Sequence, residues 1–143
     1  MAYSTIDDIK KLIPEKLLVL LTDDENLGLP SQSRVDEAIA QADAEINSYC
    51  GERYAVPFAG APDIVKKLSI DIAVYNLFSR RAAEMPPLRA ERYGNAVRIL
   101  GDISRGVVSL GIDPSPQASS EGRAETNKET DGNVFSREKL EGF

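Results

Sequence analysis

The sequence predicts an all-α fold, a small bundle of about four to five helices, and three observations predict it. Two stretches, 35–49 and 88–103, carry stripes of apolar residues at helical spacing. A third, 64–78, is apolar on nearly every face, as a helix central to its domain is. The segments between them are rich in Asp, Asn, Gly and Pro, which favour turns and end helices.

The first helix is expected over residues 5–13, because the Thr5 hydroxyl can accept from an orphan N–H and early acids such as Asp8 suit the positive helix end. Pro14 has no N–H to lose in a first turn and restarts a helix at Glu15, with Leu17, Leu18 and Leu21 facing the core. Residues 22–30 lack helical periodicity and form a loop. Ser31 or Ser33 then caps a helix whose stripe is Val35, Ile39, Ala42, Ile46 and Tyr49, and which ends near Gly51, a residue suited to a left-handed cap.

Residues 53–58, Arg-Tyr-Ala-Val-Pro-Phe, are too short for a helix and read as an extended connection with an aromatic anchor. Pro62 and Asp63 open the most hydrophobic helix, from Ile64 to Phe78. Asp71 interrupts it; it either faces solvent or, as the expectation has it, sits partly buried beside an arginine such as Arg80 or Arg53. Met85-Pro86-Pro87 breaks that helix, and Leu88, Tyr93, Ala96, Val97, Leu100 and Ile103 build a last one ending near Gly106, followed by a short extended segment at 107–110.

This places a helical domain at 1–112. Residues 113–133, dominated by Ser, Thr, Glu, Pro and Gly, cannot bury enough apolar surface to offset the entropy of ordering and are expected to be a disordered linker. Val134, Phe135, Leu140 and Phe143 return apolar side chains at 134–143, the pattern of a docking peptide on a tether.

Composition narrows the function. A net charge of -6 disfavours non-specific attraction to nucleic acid or anionic membrane, so tight DNA binding would need a local basic patch. No stretch approaches the roughly 20 apolar residues that span a bilayer, and the N-terminal residues lack the basic start of a signal peptide, so a cytosolic location is expected. Cys50 is the single cysteine and is expected as a small core residue; with no histidine, the usual zinc ligand sets are excluded.

With no histidine to activate a Ser or Cys, and no glycine-rich phosphate loop, a non-enzymatic protein without a cofactor is expected. The cluster Asp23, Asp24 and Glu25 lacks the alternating ligands and central glycine of a calcium loop and reads as a solvated turn.

Charge is also distributed unevenly. Residues 1–50 hold four basic groups against ten acids, whereas residues 80–112 hold Arg80, Arg81, Arg89, Arg92, Arg98 and Arg105 against three. Opposite-sign ends suit a head-to-tail contact between copies that closes into a ring.

The order of motifs then carries a resemblance: Tyr3-Ser4-Thr5-Ile6-Asp7-Asp8-Ile9, Leu21-Thr22-Asp23-Asp24, residues 38–46, Arg53-Tyr54-Ala55-Val56-Pro57, residues 68–81, Arg92-Tyr93 and Phe135-Ser136-Arg137-Glu138-Lys139-Leu140. It resembles the Mu-like phage and prophage family catalogued as a domain of unknown function, which is similar to the small helical head-tail connector (adaptor) proteins of tailed phages. The resemblance implies a virion subunit that assembles under the portal as a ring, dodecameric among the arrangements it allows, from a chain that is monomeric or loosely associated alone. Its implied partners are further copies of itself, the portal protein and a tail-side completion protein, with DNA only passing through the channel and no membrane. Assembly in the bacterial cytoplasm and residence at the virion head-tail junction follow. Candidate subunit or portal contacts are Arg80, Arg81, Arg89, Arg92, Arg105, Phe135, Arg137, Leu140 and Phe143. The alternative is a DNA-binding or packaging accessory protein using the arginines of 80–105.

Overall fold

Thr5 sets the first helix in a reciprocal cap: its Oγ1 accepts from the Asp8 N–H at 3.3 Å while Asp8 Oδ2 accepts from the Thr5 N–H at 3.0 Å. Residues 2–81 and 84–115 are described in a computed structural model, and among them the order is α1 (Ile6–Lys10), α2 (Glu15–Thr22), α3 (Gln32–Cys50), α4 (Asp63–Ser79) and α5 (Pro87–Ser104). The expected all-helical bundle is present, with α1 ending earlier than its pattern suggests and Pro14 at the N-cap of α2 rather than inside its first turn.

α4 is the central element. It packs chiefly on α3 and α5, with α1 and α2 against its remaining faces. Val65, Leu68, Ile72, Ala73, Val74 and Leu77 are fully buried along it, and each of its leucines contributes about 2 kcal/mol by leaving water. From α3, Val35, Ile39, Ala42, Ile46 and Cys50 enter the same core, while Tyr49 is half-buried.

Two helix ends differ from expectation and a third follows it. Ser31 is the N-cap residue of α3, but its hydroxyl caps no N–H; it lies 3.2 Å from Ser33 Oγ, and its own N–H donates to Thr22 Oγ1 at 2.9 Å. Gly51 has φ -61°, a right-handed conformation, so its use is room: a Cβ there would stand 2.8 Å from the Asn47 carbonyl oxygen. Gly106, by contrast, has φ +78° and closes α5 with paired bonds, Gly106 N–H to Ile103 O at 3.1 Å and Val107 N–H to Asp102 O at 2.8 Å.

Leu88 belongs to the expected α5 stripe yet is 54% exposed. The step from 88 to 93 is five residues, which turns Leu88 off the row formed by Tyr93, Ala96, Leu100 and Ile103. Residues 107–110 form no strand; the chain bends there and Leu110 is buried, its N–H donating to Tyr54 Oη at 3.1 Å. The connection 53–58 does carry an aromatic anchor, with Tyr54 and Phe58 both buried across a cis Val56–Pro57 peptide.

A buried polar network ties the N-terminal residues to this core. Asp43 on α3 accepts from the Tyr3 N–H at 2.9 Å and from Ser69 Oγ at 2.7 Å, and Ser69 meets Ser4 Oγ at 2.8 Å. Tyr3 Oη donates to Asn47 Oδ1 at 2.6 Å and accepts from the Phe58 N–H at 3.0 Å, so one side chain joins α3 to the 53–58 connection. The domain's last described residue, Ser115, returns to the same region with its N–H on Arg53 O at 2.8 Å. The docking peptide expected at 134–143, and the linker beyond Ser115, lie outside the described residues.

Candidate assembly interface

The acidic turn after α2 is an arginine-binding site within the chain. Asp23 spends its carboxylate on the loop itself, accepting from the Leu27 and Gly28 N–H groups at 2.9 and 2.8 Å, and these bonds hold its pKa below the usual range. Asp24 faces the other way: Arg80 Nη2 and Arg81 Nη2 each approach to 2.6 Å, and Arg34 Nε to 3.4 Å. The Arg80 bond, then that of Arg81, pulls the Asp24 carboxyl far below the usual carboxylate range. The turn is solvated, as composition predicts, with residues 24–29 exposed, and the structure adds its internal partners. Carboxylates at 23 and 24 are committed, because the end of α4 brings two guanidinium groups back across the loop.

Asp71 is buried and paired, as expected, but with other partners. Lys67 Nζ, one turn earlier on α4, lies at 2.9 Å and Arg92 Nη1 on α5 at 3.6 Å. Arg80 is nine residues along α4 and already held by Asp24; Arg53 has a buried Nε with no partner among the described residues. Asp8 is built alike, with Lys66 Nζ at 3.2 Å and Lys11 Nζ at 3.6 Å. Burial pushes its carboxyl up, but bonds from Thr5 and Lys66 outweigh that and leave its pKa lowered.

These two carboxylates form the base of one groove between α1, α4 and α5, about 400 Å³ in volume, rimmed by Lys11, Lys66, Lys67 and Arg92 with Leu12 and Ile70 beside them. Arg89 stands next to it: burial and then the neighbouring Arg92 charge disfavour its guanidinium, with partial relief from Asp71. Arg105 is elsewhere, paired with Asp102 at 2.5 Å. The sequence-marked arginines thus divide into an Asp24 pair (Arg80, Arg81), a groove pair (Arg89, Arg92) and an isolated one (Arg105), while Phe135, Arg137, Leu140 and Phe143 lie outside the described residues.

Sequence reasoning missed the lysines. Lys11, just after α1, and Lys66 and Lys67 on α4 meet only in three dimensions; the linear signals were the Asp8–Lys11 spacing of three and the Lys67–Asp71 spacing of four. On the far side of Asp71, Tyr75 and Tyr93 stack at 3.9 Å, and Tyr93 Oη donates to Glu45 at 3.0 Å. Burial, then that bond, raises the Tyr93 phenol to about 12, and burial alone raises the Cys50 thiol to about 11, which keeps it a protonated core group.

No helix among the described residues is long and apolar enough to cross a membrane. The chain is 28% identical to gene product J of Escherichia phage Mu over 144 aligned positions, spanning all of this chain and 99% of that protein. It is 31% identical over 113 residues to the Mu-like prophage FluMu protein gp36 of Haemophilus influenzae, covering 78% of this chain and 77% of that one. The family model described as bacteriophage Mu, Gp36 matches residues 3–128, which takes in all five helices, and the chain belongs to that family.

Proposed function

We propose that this chain is a structural, non-enzymatic subunit of a phage or prophage particle, a head-tail connector that assembles as a ring beneath the portal and gives the tail a platform. The observation that carries the reading is the family match, which runs through the whole helical domain and into the chain beyond it. The domain's chemistry supports it. Its buried carboxylates, Asp8, Asp43 and Asp71, are each held by structural partners, and the arrangement suits a rigid building block. Exposed Asp36 and Glu37 on α3 and exposed Arg98 on α5 give the surface opposite charges on different helices, which suits a heterologous ring contact.

Four of the six arginines between 80 and 105 hold internal carboxylates, which favours protein assembly over the DNA-accessory alternative. The partners of this reading are further copies, the portal and a tail-side completion protein, met in the bacterial cytoplasm and retained at the virion head-tail junction. Mass photometry of the full chain with its cognate portal tests it. A complex heavier than the portal by a whole ring is expected; a portal of unchanged mass, with salt-dependent retention of DNA by the chain, would replace the connector with the accessory protein.

A further inference from the structure

α4 carries unlike surfaces at its two ends. Beside its N-terminal half lies the groove, where five cations gather: Lys11, Lys66, Lys67 and Arg92, with Arg89 next to them. Buried Asp8 and Asp71 and exposed Asp63 answer three of these, which leaves a surplus of two. Lys11, Lys66 and Lys67 expose about half of their side chains or more, so the surplus faces outward. Leu12, 43% exposed, and half-buried Ile70 add apolar surface beside it.

At the other end, Arg80 and Arg81 follow the last turn of α4 and hold the α2–α3 loop through Asp24. Residues 23–37 carry five acids against Arg34, and adding Arg80 and Arg81 still leaves a net charge of -2. Glu25 is exposed and makes no ion pair among the described residues. Leu27 and Leu29 stand 69% and 66% exposed on this loop, whose backbone is fixed by the Asp23 bonds from the Leu27 and Gly28 N–H groups. The loop is a preformed apolar knob beside carboxylates, so little ordering is lost when it docks.

Each surface supplies what the other lacks. The loop's leucines suit Leu12 and Ile70, and its net -2 suits the groove's +2. One molecule cannot join them. Lys66 and Arg80 are fourteen residues apart along α4, roughly 21 Å of helix rise, and the loop is fastened at the far end. A second copy can, and because the two patches differ, each copy gives its loop to one neighbour and its groove to another.

We propose that residues 24–29 of one copy dock in the α1, α4 and α5 groove of the next. The assignment rests on the ring reading above for its closure alone, since a heterologous contact builds either a ring or an open chain.

Crosslinking of the full-length chain, free at high concentration and on its cognate portal, tests this. Leu12→Cys and Leu27→Cys alter exposed side chains, and native Cys50 is buried, so a bis-maleimide reads only those two positions. A chain with both substitutions is expected to give a ladder of multimers linked 12 to 27. A mixture of the two single variants should stop at dimers, and either single variant alone should stay monomeric. Glu25→Lys added to the double variant is expected to lower the ladder yield about threefold, the scale of one exposed ion pair, and Lys11→Glu to restore it. Circular dichroism checks that each variant keeps its helicity. No ladder in either sample, dimers from a single variant alone, or a yield indifferent to both charge reversals would overturn the proposal. A ladder from a chain that adds no mass to the portal sinks the connector reading alone. A portal that gains a ring without 12-to-27 links sinks the contact alone.

Discussion

Asp24 and Asp71 each gather cations, with opposite consequences for the surface. Asp24 sits on a loop and draws Arg34, Arg80 and Arg81 inward from α3 and the end of α4, so charges that the sequence offers to a partner are used to fasten the loop. Asp71 lies beneath the surface, and its cations stand over it from α4 and α5 with their outer sides in water. A carboxylate at the surface neutralises its arginines; a buried one positions them. The difference explains why a count of arginines along 80–105 does not locate a binding surface.

The largest effect is expected when both cations over Asp71 are removed. Lys67→Ala with Arg92→Ala leaves a buried carboxylate without a counter-charge, and the double variant is expected to lose about 3 kcal/mol in urea unfolding. A loss no greater than that of two exposed-residue substitutions would mean that Asp71 is solvated rather than held.

A smaller effect, and one that depends on pH, is expected at Asp24. Its folded pKa is depressed, so its contribution is present above the ordinary carboxylate value of about 4 and is lost as pH falls through that range towards the folded pKa. Asp24→Asn should therefore be less stable than the parent at pH 7 and indistinguishable from it in strong acid. A gap that stays constant across the acid range would contradict the pairing with Arg80 and Arg81. The smallest effect belongs to Arg89, which has no ion pair among the described residues; Arg89→Gln is expected to change stability by less than about 0.5 kcal/mol in the same urea assay.

Much of the fold was legible because its helices follow local rules. The Thr5 cap, the Pro86–Pro87 break, the Gly106 stop and the stripe from Val35 to Ile46 are set by residues within a turn or two of one another. Tyr3 was not legible as a core residue, because its bonds run to Asp43, Asn47 and Phe58, more than 39 residues away, and no periodicity announces such partners. The groove was half legible. Arg89 and Arg92 stand out in the sequence, but their meeting with Lys11 and Lys66 depends on α1 lying against α4, which charge patterning along the chain does not encode. Asp71 was expected to be paired; Lys67, one turn earlier on the same helix, could be read from spacing, whereas Arg92 arrives from another helix and could not.

The central claim, that this member of the Mu Gp36 family is a ring-forming connector, is tested most directly by electron microscopy of the full chain mixed with its cognate portal. A second ring coaxial with the portal, built from copies of the helical domain in head-to-tail contact, is expected. Portal particles without added density at either end, at chain concentrations well above those of the portal, would contradict it.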